Sequence, residues 1–152
     1  MTKPPNKKAA WLAACLTCVA GFEGLRTVAY LDPVSIPTAC FGETLGVKMG
    51  QKFTVEECTE MLGKRVREFG DGVDSCVTEE QPPLRKAALT SFAYNIGIGA
   101  FCKSTLVRKL NAGDVEGACA ELPKWTKAKG VTLPGLVTRR NQEREMCLAG
   151  VT

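Results

Sequence analysis

The sequence predicts an α+β fold with a helical majority. Helix-start signals recur along the chain, one short segment is rich in β-branched residues and broken by prolines and glycines, and no long linker, repeat or low-complexity run interrupts the pattern. A chain of 152 residues suits one domain with a real core.

The first helix is expected from about Lys8 to Phe22, with Gly21 and Gly24 at its end. Its apolar run, Ala9 to Phe22, has Thr17 as its only polar side chain and follows a basic opening, MTKPPNKK. That is the shape of an export signal. The run is shorter than the roughly 20 residues that span a bilayer and is built on alanine. Two readings stay open: a core helix of the domain, or a signal-anchor that enters the membrane and later leaves it. A cleaved signal fits less well, because chemistry-bearing residues follow at once. The chain therefore divides into residues 1–22 and 23–152.

Thr27 to Val47, broken by Pro33, Pro37, Gly42 and Gly46, reads as an irregular β-hairpin or three-stranded patch. Thr54-Val-Glu-Glu57 is a capping box that starts a helix towards Phe69. Pro82-Pro83 opens another, with Leu84, Ala88, Leu89, Phe92 and Ile96 on one face and Gly97 and Gly99 at its end. Ser104 starts a short helix to Leu110, and Asp114 caps one that ends before Pro123. Pro134-Gly135 precedes a last helix, Leu136 to Leu148.

Composition narrows the chemistry. There is no histidine, which excludes His-based triads. A zinc site would need cysteine or carboxylate ligands, and only Cys15 and Cys18 form a Cys-x-x-Cys, so neither metal nor cofactor is expected. The net charge of +4 is too small to argue for nucleic acid. It suits approach to an anionic polymer, and equally a routine solvated surface. Cys15, Cys18, Cys40, Cys58, Cys76, Cys102, Cys119 and Cys147 are an even, widely spaced set. They read as disulfides formed outside the cytosol, with reduced core cysteines as the alternative.

Acids without histidine suggest glycoside chemistry. One carboxyl group protonates the leaving oxygen and a carboxylate faces it across the bond. Glu23 ends an apolar run and precedes Gly24, so it suits the apolar setting such an acid needs. Asp32 and Thr38 follow in the β patch. With 16 acidic residues, spacing alone is not specific.

Three blocks together are specific. Phe22-Glu23-Gly-Leu-Arg26, Tyr30-Leu-Asp32 and Pro37-Thr38-Ala-Cys-Phe-Gly42 form the first. Ala88-Leu-Thr-Ser-Phe92-Ala-Tyr-Asn95-Ile-Gly97 with Ser104 to Asp114 forms the second, and Trp125 with Pro134-Gly-Leu-Val-Thr-Arg139-Arg140 and Glu143-Arg144 the third. From about residue 20 to the end the chain resembles the phage-type lysozymes of glycoside hydrolase family 24, best known from a T-even phage. Their pattern is Glu, eight residues, Asp, five residues, Thr, as in Glu23, Asp32 and Thr38.

The resemblance implies two lobes joined by a long helix, a β patch in the N-terminal lobe, a helical C-terminal lobe and a cleft between. It implies a monomeric endolysin muramidase that cuts the β-1,4 bond between N-acetylmuramic acid and N-acetylglucosamine in bacterial peptidoglycan. Glu23 is then the general acid, Asp32 the partner carboxylate, and Thr38 the residue that holds the attacking water or lines that side. Arg139 or Arg140 contacts the glutamate. Asn95 is either a glycan contact or a helix C-terminal residue, and Trp125 either core or sugar platform. Many relatives carry histidine where this chain has Glu43, to which no role is given.

Family members with an uncleaved signal-anchor often carry extra cysteines. By that resemblance Cys76 pairs with Cys102, Cys119 with Cys147 and Cys40 with Cys58, leaving Cys15 and Cys18. The same subtype implies action in the periplasm after a transient tether to the inner membrane through residues 9–22, with Glu23 joining Asp32 only on release. The rival readings are a lytic transglycosylase and a non-catalytic peptidoglycan-binding envelope protein.

Overall fold

The computed structural model describes residues 6–149. Helix α1 spans Lys7–Glu23. The Asn6 side chain accepts from the Lys8 N–H at 3.1 Å, and Gly24, at φ +72°, ends the helix. Glu23 is thus the last helical residue. Cys15, Cys18 and Val19 form the buried face. The Trp11 indole fills a notch over Gly70, where any Cβ would collide with it. The Lys86 ammonium sits 4.3 Å above the same ring.

Strands β1 (Arg26–Leu31) and β2 (Pro37–Cys40) pair antiparallel, with Tyr30 opposite Thr38 and Leu31 opposite Pro37. No third strand joins this sheet among the described residues. Val28 makes only a single bridge to Lys52.

Helix α2, Val55–Cys76, starts with the expected capping box, but runs well past Phe69. Gly70 and Gly72 do not stop it because packing uses their bareness: Gly70 receives Trp11, and a Cβ on Gly72 would lie 2.6 Å from Ile98. Over its 22 residues, about 33 Å, α2 links three apolar clusters. Cys58 belongs to the cluster under the β patch, Leu62 and Val66 to the one under α1, and Val73 to that of the helical lobe. This is the two-lobed arrangement with a long connecting helix.

Helix α3, Pro83–Ile96, is buried on nearly every side: Ala87 to Ala93 are all inside. The expectation of one apolar face is corrected here. Leu84 is exposed and Thr90 and Ser91 are fully buried, because α1, α2 and α7 all pack around this helix. The remaining helices are α4 (Ile98–Cys102), α5 (Thr105–Asn111), α6 (Val115–Glu121) and α7 (Pro134–Ala149), with a 3-10 turn over Leu122–Lys124. A small hairpin, β3 (Lys127–Ala128) with β4 (Val131–Thr132), was not expected. Its turn is Lys129-Gly130, both at positive φ, without the Asn or Asp that usually announces such a turn.

Cys40–Cys58 ties β2 to α2, Cys76–Cys102 ties α2 to α4, and Cys119–Cys147 ties α6 to α7. All three implied pairs are present. Cys15 and Cys18 are buried free thiols. Burial pushes the Cys15 thiol up to about 12 and raises Cys18 as well.

Candidate active site

Glu23 sits at the C-terminal end of α1, on a cleft of about 570 Å3 that Phe22, Asn95, Leu136 and Arg139 also line. Its side chain is 24% exposed, so a ligand in the cleft can reach it. Arg139, on α7, donates from Nη1 to Glu23 Oε1 at 2.8 Å. On the other side, a Cβ added to Gly42 would lie 3.2 Å from Glu23 Oε2. The carboxyl group is therefore gripped by a guanidinium and closely approached by backbone.

Arg139 is itself fixed. Nη2 donates to the Ser91 carbonyl of α3 at 3.1 Å, and the guanidinium lies 4.9 Å from the Phe22 ring. Its Nε faces Glu143 Oε2 across 3.5 Å. Arg140 points elsewhere: Nη2 donates to Asn95 Oδ1 at 2.6 Å, and Nε stands 3.1 Å from Glu143 Oε1. Of the two arginines open in the sequence, Arg139 is the one that touches Glu23. Arg140 is fully buried and holds Asn95, which lines the cleft.

Asp32 closes the β1–β2 turn. Its Oδ1 accepts the N–H groups of Val34 at 2.9 Å and Ile36 at 2.8 Å. This use of Asp in a turn follows from its short acceptor side chain. Oδ2 makes no protein hydrogen bond among the described residues. Thr38, buried, donates from Oγ1 to the Ile36 carbonyl at 2.9 Å. Asp32 and Thr38 thus meet at the same turn residue. Neither is among the residues that line the Glu23 cleft.

Glu43 is buried and paired. Arg65 Nε of α2 lies 3.1 Å from its Oε2, while Oε1 accepts from the Leu45 N–H at 3.0 Å. Trp125, at the edge of exposure, packs edge-on against Phe92 with centroids 5.4 Å apart.

Sequence reasoning gave no role to Glu143, Ser91, Gly42 or Tyr94. Glu143 is fully buried, and Ser91 Oγ donates to its Oε2 at 2.6 Å. Burial pushes the Glu143 carboxyl up, while Arg140, Ser91 and Arg139 pull it back. Burial also lowers Arg140 to about 10. Tyr94 donates to the Phe41 carbonyl at 3.2 Å and spans α3 and the β patch. Burial first, then Glu23 and Glu43, push its phenol up to about 12. The Arg139-Arg140-x-x-Glu143 spacing was a usable signal, because residues three and four apart share a helix face. Ser91 carried none.

Residues 20–143 match the model of a family described as phage lysozyme. A relative from Bacteriophage PS119, named "SAR-endolysin", is 40% identical over 131 residues, which are 86% of this chain and 78% of the relative. The muramidase domain of SpmX from Asticaccaulis excentricus superposes with a TM-score of 0.83 at 29% identity, covering 89% of this chain and 95% of that one. The active form of P1 phage endolysin Lyz also superposes with a TM-score of 0.83, at 26% identity, covering 91% and 85%.

Proposed function

Because the chain belongs to the phage lysozyme family, a family of muramidases that act on peptidoglycan, we propose that it cuts the β-1,4 bond between N-acetylmuramic acid and N-acetylglucosamine by hydrolysis. The observation that carries this reading is Glu23, open to the cleft and held by Arg139 at 2.8 Å. Glu23 delivers the proton to the leaving oxygen. Asp32, one carboxylate oxygen of which has no protein partner among the described residues, supports water attack or the positive charge on the sugar. Thr38, beside it, lines the water side. Asn95, kept in place by Arg140, contacts the glycan.

Glu23→Gln tests the reading, since it preserves shape and removes the acid. Clearing of permeabilised cells should fall by about two to four orders of magnitude, the usual weight of general acid catalysis. A folded variant with near wild-type clearing would overturn the assignment. The product ends decide the reaction: hydrolysis leaves a reducing muramic end, whereas a 1,6-anhydro end would mean transglycosylation.

The site of action we infer is the periplasm, after passage through the inner membrane on residues 9–22. The basic opening, the alanine-rich run and its direct abutment on Glu23 support this, as do relatives named "SAR-endolysin". Among the described residues no helix is long and apolar enough to cross a membrane. On this reading that weakness is what makes a tether reversible. Ala9, Ala13 and Thr17 are exposed on α1, so leucine at all three raises apolarity without entering the core. The triple variant should stay with the membrane fraction and lyse late. Fractionation and lysis like wild type would leave α1 as simply the first helix of the enzyme.

A further inference from the structure

Beneath the cleft lies a second carboxylate that the proposed chemistry does not use. Glu143 is fully buried between the guanidinium groups of Arg139 and Arg140. Two cations on consecutive residues, both out of water, repel each other and need an anion between them. The 2.6 Å contact from Ser91 Oγ has the length of an O–H donor on an ionised carboxylate.

Arg139 divides its three nitrogens. Nε faces Glu143, Nη2 is spent on the Ser91 carbonyl, and only Nη1 is left for Glu23. We propose that Glu143 is a positioning residue for the hydrolysis, which anchors the Nε edge of Arg139 so that a single donor, with its charge already shared, meets the Glu23 carboxyl group. The proposal rests on Glu23 being the acid.

The electrostatic consequence is specific. With Glu143 in place, the charge that Arg139 presents to Glu23 is partly offset. Without it, the Arg139 guanidinium that meets Glu23 loses its counter-charge, and an uncompensated cation beside a carboxyl group favours the ionised form over the acid. The groups around the cluster are few. From α1 come Glu23, Cys15 and Cys18, the thiols being held protonated by burial. From α3 come Ser91, Asn95 and Tyr94, and from α7 Arg139 and Arg140. Glu43 and Arg65 act on Tyr94, and Lys86 on Cys15.

The test is the pH profile of kcat and KM on purified glycan strands for Glu143→Gln, Glu143→Asp and Ser91→Ala, with Glu23→Gln as the control. In Glu143→Gln, kcat should fall about ten- to a hundred-fold with KM little changed, because a reacting group is misplaced and no cleft contact is lost. The alkaline limb should move about one pH unit towards acid. Glu143→Asp keeps the charge and should restore the limb. Ser91→Ala keeps the carboxylate, weakens its anionic form and should shift the limb the same way by less, which keeps the test alive if Glu143→Gln does not fold. Unmoved limbs in the folded variants, with only a lower Tm, would overturn the proposal and reduce Glu143 to a structural ion. An active Glu23→Gln would instead sink the functional reading itself, whatever Glu143 does.

Discussion

Gly42 approaches Glu23 so closely that a single methyl group at its Cα would press on the carboxyl group, 3.2 Å from Oε2. The backbone there is at φ +83°, a region L-residues rarely enter. Gly42→Ala should therefore lose about 1–2 kcal/mol of stability from backbone strain. It should also lose clearing activity beyond what that stability loss explains. Denaturant titration beside the clearing assay separates the two, and a variant that is destabilised but fully active would show that Glu23 can yield.

Arg139 and Arg140 are neighbours with different work. Arg139→Lys keeps a positive charge but cannot serve Glu23, Ser91 and Glu143 together, because lysine offers a point charge where arginine offers a fork. It should fold and be strongly impaired in clearing. Arg140→Met should show the opposite balance, a loss of about 3–5 kcal/mol from leaving Glu143 short of a partner, with activity falling less. Equal effects of both variants on activity would contradict this division.

Asp32 does two things that substitutions can separate. Asp32→Asn keeps an acceptor for the Val34 and Ile36 N–H groups, whereas Asp32→Ala loses the turn as well. Both should be crippled if the carboxylate acts in the reaction, and only Asp32→Ala should also lower the melting temperature. An Asp32→Asn variant with near-normal turnover would favour a mechanism with one glutamate.

The Tyr94 phenol is raised from 10 to about 12, chiefly by burial. A folded-state value above the unfolded one means that the protonated form is favoured by folding. Its contribution to stability is complete below pH 10 and is lost as pH rises towards 12. Tyr94→Phe should be less stable near neutrality by about 1 kcal/mol, for the lost bond to Phe41. It should also show a shallower fall in stability between pH 10 and 12. Tyrosinate absorbance supplies a second reading: the part missing from Tyr94→Phe should be the part that develops near pH 12.

Much of the fold could be read from the sequence because local signals and packing agree there. The Thr54–Glu57 capping box, the Pro82-Pro83 start and the Ser104 and Asp114 caps all fall where helices begin. The reading failed where tertiary contacts override local preference. The helix expected to run towards Phe69 continues through Gly70 and Gly72 to Cys76, and those two glycines are the places where Trp11 and Ile98 come through. The apolar spacing of α3 predicts one buried face, whereas its polar Thr90 and Ser91 also point inward, each with a partner of its own. At the candidate site the family pattern drew attention to Glu23, Asp32 and Thr38. The support beneath Glu23 was illegible because Ser91 and Glu143 meet only when α3 and α7 pack together.

The notch at Gly70 carries a cost for anyone who maps function by mutation. The Trp11 indole that fills it belongs to the same rigid rod that ends in Glu23, about 18 Å further along at 1.5 Å per residue. A side chain at position 70 must evict the ring or tilt the rod, and a tilt of a few degrees displaces the far tip by roughly an ångström. Displacements of that size are enough to cost about a hundredfold in rate. A screen scored only on lysis would then rank position 70 with the catalytic residues, although no atom of that glycine borders the cleft.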